Sequence, residues 1–306
     1  MPARLILNAD DFGLTPGINR AIGELYAAGA LSSATLMANG PAFDDAVAVA
    51  RAHPGLGVGC HIVLTDGVPV SPSSSIPSLL GPDGKSFRPS LRKSVAALLL
   101  GRIREEEIAR EALAQIEKLQ RAGIAVTHLD THKHTHIFSS VARPLLRIAE
   151  QKSIHAIRNP FEPEWSIALD HGSRARRLAV KLVNRLRPRF EALPQIRDRC
   201  VRTTDGTVAI SATGQVNPTT LAQLLRALPQ SGTYELCCHP GYNDRDLDRI
   251  ATRLRAHRDL EREALLIEVP QFLSGPNAPH LIDFAGIAAP AQSGSRSGSS
   301  ETHLFD

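Results

Sequence analysis

What most limits the fold of this chain is a repeated alternation of short apolar runs with longer segments of helical periodicity. "RLILNAD" has a strand pattern. "LTPGINRAIGELYAAGA" after it reads as a helix, with Thr15 as N-cap, Pro16 at the first helical position and Gly29 as the stop. Its apolar residues Ile18, Ile22, Leu25 and Tyr26 fall on one helical stripe. The alternation continues with "SSATLMANG" into "AFDDAVAVARAHPG" and with "LGVGCHIVL", which a Pro-, Ser- and Gly-rich stretch over about 65–90 separates from "REEEIAREALAQIEKLQRAG". That helix carries acids in its first turn, as the helix dipole favours. Further units run "GIAVTHLDTH", "SVARPLLRIAEQKS" into "IHAIRNP", "PTTLAQLLRALPQSG" into "TYELCCHPG", and "RDLEREALLIEVPQFLSG" into "HLIDFAG". Successive strand–helix units build a parallel sheet, and roughly seven or eight of them favour a single-domain α/β barrel of TIM-like type over a doubly wound sheet.

That architecture says where to look for function, because ligands bind at the C-terminal ends of parallel strands. The most unusual strand end is "THLDTHKHTH", residues 127–136. It holds four of the twelve histidines, His128, His132, His134 and His136, alternating with Asp130. Residues two apart on a strand share a face, so Ile124, Val126, His128, Asp130 and His132 would run from apolar to polar along one side. Imidazole is the commonest metal ligand, and a nearby carboxylate co-ligates or orients the ring. The other predicted strands end in Asn8, Asp10 and Asp11, in His61 after Gly57 and Gly59, in Arg158, and in His239. Each alone is as well explained by a structural role. Together they describe a catalytic metal site.

Composition narrows the class. The chain has 306 residues, 42% hydrophobic and 22% charged, enough for a sizeable core. "SVAALLLG" is the longest apolar run and is too short to span a membrane. "MPARLILNADDFG" lacks the pattern of a secretory signal, and Cys60, Cys200, Cys237 and Cys238 have no framework spacing, so a cytoplasmic location is expected. A net charge of +4 gives no sign of nucleic-acid binding. A barrel domain is expected over 1–287, with a loop insertion near 65–90 and a basic helical insertion near 162–205. A disordered low-complexity tail is expected over 288–306.

"NADDFGLTPGIN", "GVGCHIVLTDGVPV", "THLDTHKHTH" and "CCHPG", in that order, resemble the YdjC-type carbohydrate deacetylases. That family includes chitooligosaccharide deacetylases and hopanoid-biosynthesis-associated deacetylases. The resemblance runs from about Leu5 to Phe284 and implies a distorted (β/α) barrel. It also implies removal of acetyl groups from N-acetylated sugars with one divalent metal, magnesium or zinc, held by Asp11, His61 and His132.

Amide hydrolysis needs an activated water, an electrophile for the carbonyl oxygen and a proton for the leaving amine. With Asp11 on the metal, Asp10 is expected to take the proton from water and His239 to protonate the amine, with His136 behind it. His128 and Asp130 are expected to support the ligands from below, and Arg158 to act beside them or on substrate. The competing readings are a metal-dependent phosphoesterase and a non-catalytic sugar- or lipid-binding barrel. Expected partners are an N-acetylated sugar or glycolipid and no nucleic acid, with a homodimer left open. In "HGSRARRLAVKLVNRLRPRFE", seven cations precede the first acid, Glu191. Ala175, Leu178, Leu182 and Leu186 share a helical face. An outer barrel helix with a solvated basic side is the favoured reading, and a peripheral membrane contact the alternative. Trp165 could stack on a sugar or belong to the core.

Overall fold

The computed structural model describes residues 3–169, 174–250 and 252–288. Seven strands lie in one parallel sheet: β1 (Arg4–Phe12), β2 (Ser33–Leu36), β3 (Gly57–Ile62), β4 (Val126–Thr131), β5 (Gly206–Val208), β6 (Thr233–Cys238) and β7 (His280–Leu281). Their order is β4-β3-β2-β1-β6-β5, with β7 beside the start of β1. "IHAIRNP", expected as a strand, is instead an extended segment that closes the ring by single contacts. Leu129 N donates to Ala156 O and Ile157 N to Arg202 O, while Thr207 N donates to Phe161 O. The result is a distorted (β/α) barrel in one domain.

Helices α1 (Pro16–Ala27), α2 (Phe43–Ala52), α3 (Leu91–Leu99), α4 (Glu105–Arg121) and α5 (Ser139–Gln151) accompany the first half of the sheet. Helix α1 starts as its sequence predicts, with the Thr15 hydroxyl accepting from Ile18 N. Then come α6 (Glu164–Leu169), α7 (Arg174–Asn184), α8 (Arg187–Glu191), α9 (Pro194–Arg197), α10 (Pro218–Arg226), α11 (Ala256–Leu273) and α12 (Phe284–Ala288). The long stretch after β3 is tied to α4 through buried acceptors. Glu111 takes the amides of Val70 and Ser71, Glu107 that of Ser78, and Gln115 that of Val63. Acids on the inner face of α4 thus satisfy loop amides that would otherwise be left unpaired.

Strand alternation divides the core in two. Leu5, Leu7, Ala9, Val58, Cys60, Leu129, Leu236 and Cys238 face outward into the large apolar cluster beneath the helices. The opposite face lines the barrel interior. Its floor is apolar: Ile6 and Ala156 pack with Phe284 and Ile287 of α12. Above it the lining turns polar, and His128 stacks on Phe284 with ring centroids 3.7 Å apart. Two glycines in β3 make room there. A Cβ at Gly59 would lie 2.3 Å from the His128 ring, and one at Gly57 2.6 Å from the Cβ of Asp283. The tail from 289 onward lies outside the described residues.

Candidate active site

Asp10 and Asp11 would point to opposite faces of a regular strand. They do not here, because β1 bulges between Ala9 and Phe12 against β2. Asp11 adopts φ +64°, a left-handed conformation that Asp tolerates better than most residues. The bulge turns both carboxylates toward the barrel mouth, where Asp11 meets His61 from β3 and His132 from the end of β4. Asp11 Oδ1 is 3.7 Å from His61 Nε2 and 3.3 Å from His132 Nδ1, and the two imidazole nitrogens are 3.3 Å apart.

Asp11, His61 and His132 form a group able to hold a metal ion. Asp11 Oδ1 is buried without a hydrogen-bond partner, an unsatisfied lone pair of the kind a cation would take up. His61 Nδ1 lies 2.8 Å from Asp130 Oδ1. If that nitrogen carries the proton, Nε2 keeps its lone pair for the metal. Burial opposes charge on the His61 ring, but Asp130, Asp10 and Asp11 outweigh it and lift its pKa to about 9. Two other groups, Asp10–His134–Cys237 and Asp10–His61–Asp130, also bring ligand atoms together. Both rely on Asp10, which already faces a guanidinium.

That guanidinium belongs to Arg158, which is fully buried. It holds Asp10 through two bonds, Nη1 to Oδ2 at 2.9 Å and Nη2 to Oδ1 at 2.6 Å, and also pairs with Glu235 and Asp130. Asn8 Nδ2 and Thr35 Oγ1 donate to Asp10 Oδ1 at 3.0 and 3.2 Å. Burial resists ionisation of Asp10, yet Arg158 prevails and holds its carboxyl well below the usual range. Burial lifts Glu235 despite the same neighbour. Arg158 is therefore saturated by carboxylates and is not a group offered to substrate.

His239, just past β6, brings Nε2 to 3.8 Å from Asp10 Oδ2 and is slightly exposed. Its backbone N–H donates to Glu261 at 2.5 Å. His136 lies behind this pair and is fully buried. Its Nδ1 is 2.7 Å from Thr131 Oγ1 and its Nε2 3.2 Å from Arg158 O. Both nitrogens are occupied, so His136 braces the segment that carries Arg158. Burial lowers its pKa to about 4 and that of His128 to about 3, leaving both rings neutral.

Strict alternation of the histidines stops at Thr131, where β4 ends. Lys133 and His134 then adopt φ +59° and +51°, so His132, His134 and His136 are separated by a tight turn and do not share a strand face. The expectation of one continuous strand through His132 is corrected there. The turn brings half-buried His134 close to Asp10 and Cys237.

Residues 4–273 match the model of the family described as YdjC-like protein. The chain belongs to the YdjC-like family. It is 40% identical over 158 residues to a carbohydrate deacetylase of Brevibacillus brevis, covering 52% of this chain and 60% of that one. A carbohydrate deacetylase of Geobacillus stearothermophilus is 40% identical over 151 residues, covering 49% and 58%. Carbohydrate deacetylase 1 of Listeria innocua is 44% identical over 131 residues, covering 42% and 51%. The aligned region thus spans about half to three fifths of the length of these relatives. A crystal structure of a candidate cellobiose-phosphate cleavage protein from Enterococcus faecalis V583 superposes with a TM-score of 0.74 at 26% identity, over 94% of this chain and 100% of that one.

The YdjC-like barrel also holds site residues that strand-end reasoning missed. Arg258 comes from α11, is 1% exposed, and donates from Nη2 to Asp11 Oδ2 at 2.5 Å. Burial works against the Asp11 carboxylate, but Arg258 outweighs it and keeps the group ionised. Glu235 lies mid-strand rather than at a strand end. An acid alternating with apolar neighbours in "TYELCC" was the available signal, since a buried acid needs a partner. Arg258 had none, because helix periodicity alone does not show which charged residue turns inward. Trp165 packs edge-on against Tyr234, with ring centroids 5.7 Å apart, at the opening of β6 and so at the far end of that strand from His239. It borders the apolar core.

Proposed function

We propose that this chain is a metal-dependent hydrolase that removes the acetyl group from an N-acetylated sugar. The observation that carries the reading is the convergence of Asp11, His61 and His132 around an unsatisfied carboxylate oxygen, with Asp10 and His239 3.8 Å apart beside them. The names of the relatives support the choice of acetylated sugars. Four carboxylates (Asp10, Asp11, Asp130, Glu235) surround two guanidiniums (Arg158, Arg258), a charge balance that a divalent cation improves. Two imidazoles and one carboxylate suit zinc, with magnesium the less well matched choice.

A bound cation there would polarise the amide carbonyl and acidify a water. The protein supplies the proton traffic. Asp10 starts ionised, because Arg158, Asn8 and Thr35 hold it so, and its Oδ2 accepts a proton from the attacking water. His239 gives its Nε2 proton to the leaving nitrogen as the C–N bond breaks. Acetate and the free amine result. The proton on Asp10 then passes to His239, which restores both groups. Asp130 keeps the His61 ring oriented, and Arg258 holds the second oxygen of Asp11.

A phosphorylated sugar is the second reading, suggested by the description of the Enterococcus faecalis neighbour. Both site arginines, Arg158 and Arg258, are already bound to carboxylates, so neither is free to clamp a phosphate. The test is acetate release from N-acetylglucosamine oligomers and acetylated glycolipids, with p-nitrophenyl phosphate alongside, before and after chelation and metal return. Metal-restored acetate release is expected. Turnover of the phosphate ester alone would replace the proposal. His239→Ala should lower turnover of sugar amides far more than of an activated aryl acetate, whose leaving group needs little protonation.

A further inference from the structure

The sequence favours α7 as an outer barrel helix with a solvated basic side, but in the structure its leucines are solvated as well. None of its residues is buried, and Leu178 and Leu182 are 70% and 59% exposed. Val183 and the following Leu186 are the positions that touch the core. Successive residues of a helix are about 100° apart, so the outward face is centred on Leu178 and Leu182. Arg174, Lys181 and Arg185, all exposed, flank one side of that stripe, and Ala175 and Ala179 the other. Lys181 lies 3.7 Å from Glu164, an exposed pair of little strength. From Arg174 to Arg189 the sequence holds seven cations and no acid.

We propose that this face of α7 docks the protein on an anionic lipid bilayer. An outward leucine stripe edged by cations is the arrangement of a helix lying in a membrane interface, its apolar side chains in the acyl boundary and its cations on lipid phosphates. A second copy of the chain fits poorly, because a two-fold contact would set Arg174, Lys181 and Arg185 against their own counterparts. Arg176 Nη1 donates to Thr213 O in the loop after β5, and Asn184 Nδ2 donates to Glu162 O just past the extended segment that carries Arg158. Arg176 thus ties the start of α7 to the end of the barrel that carries Asp10 and His239, while Lys181 pairs with Glu164 toward the opposite end, so the helix runs along the side of the barrel. Docking would lay this side of the barrel on the headgroup layer.

The test is co-sedimentation of the full chain with vesicles of phosphatidylcholine alone or mixed with phosphatidylglycerol, at low and high salt. Binding is expected to the mixed vesicles alone and to fall with salt. Leu178→Gln with Leu182→Gln should lower partition at least tenfold. Arg174→Gln, Lys181→Gln and Arg185→Gln together should lower it on the order of a hundredfold. All five positions are exposed, so circular dichroism should be unchanged. Absence of binding to anionic vesicles, or equal binding by the variants, would overturn the proposal. So would a dimer in sedimentation velocity that the leucine variants abolish, which would assign the face to self-association. The readout is vesicle partition, so the proposal is tested independently of the deacetylase reading.

Discussion

At the scale of single residues, the site is built from charges that fix one another. Arg158 holds Asp10 and Arg258 holds Asp11, so two adjacent acids are kept ionised by guanidiniums from opposite parts of the chain. Arg258→Met should leave Asp11 Oδ2 unpaired and the ligand free to swing. Metal affinity, read by calorimetric titration, is expected to fall roughly 10–100-fold, the usual effect of losing a partner behind a ligand. Unchanged affinity would mean that the bulge alone positions Asp11. Strand ends marked Asp11, His61 and His132 among a wider set of candidates, and the resemblance to the YdjC-type deacetylases singled them out as ligands. Arg258 was not legible, since it reaches Asp11 across 247 residues from the middle of no recognisable motif.

At the scale of elements, β3 and β4 fit each other through an absence. Gly59 leaves the space that the His128 ring fills, and that ring in turn stacks on Phe284. Gly59→Ala should therefore force the ring out of place and destabilise the fold by about 1–3 kcal/mol, measured by denaturant unfolding. Wild-type stability in this variant would show that the ring has somewhere else to go. His128 also makes stability depend on pH. Its folded pKa of about 3 lies below the ordinary 6.5, so between those values the unfolded chain binds the extra proton. The contribution of the neutral ring is complete above about 6.5 and is lost as pH falls toward 3. His128→Leu should flatten the fall of unfolding midpoint across that window, and an unaltered slope would assign it to other groups. Alternation in "THLDTH" made the inward face of β4 readable. The turn at Lys133 and His134 was not readable, because neither residue announces a positive φ.

At the scale of the whole molecule, the order of strands and helices could be followed from periodicity, and the manner of closure could not. β5 is three residues long and the segment carrying Arg158 pairs through isolated bridges, both too short for any periodic pattern. The barrel is sealed at one end by the apolar cluster around Phe284 and Ile287, and becomes charged toward the other. On that gradient, removal of the active-site carboxylates is expected to leave the core closed, because they lie above the floor and the outward strand faces carry most of the packing. The gradient also sets the side from which a substrate would arrive, past partly exposed residues such as His132 and His239.

The division of labour between the two adjacent acids is the centre of the account, and Asp10→Asn beside Asp11→Asn tests it most directly. Metal content by elemental analysis, substrate binding and acetate release are compared in the two variants. Asp11→Asn is expected to lose metal, since an amide oxygen is a poorer ligand than a carboxylate. Asp10→Asn is expected to keep metal and substrate while acetate release falls roughly 10²–10⁴-fold, the contribution of a positioned proton acceptor. Loss of metal from Asp10→Asn with Asp11→Asn still loaded would reverse the two roles. Full metal and full activity in both would contradict the hydrolase reading itself.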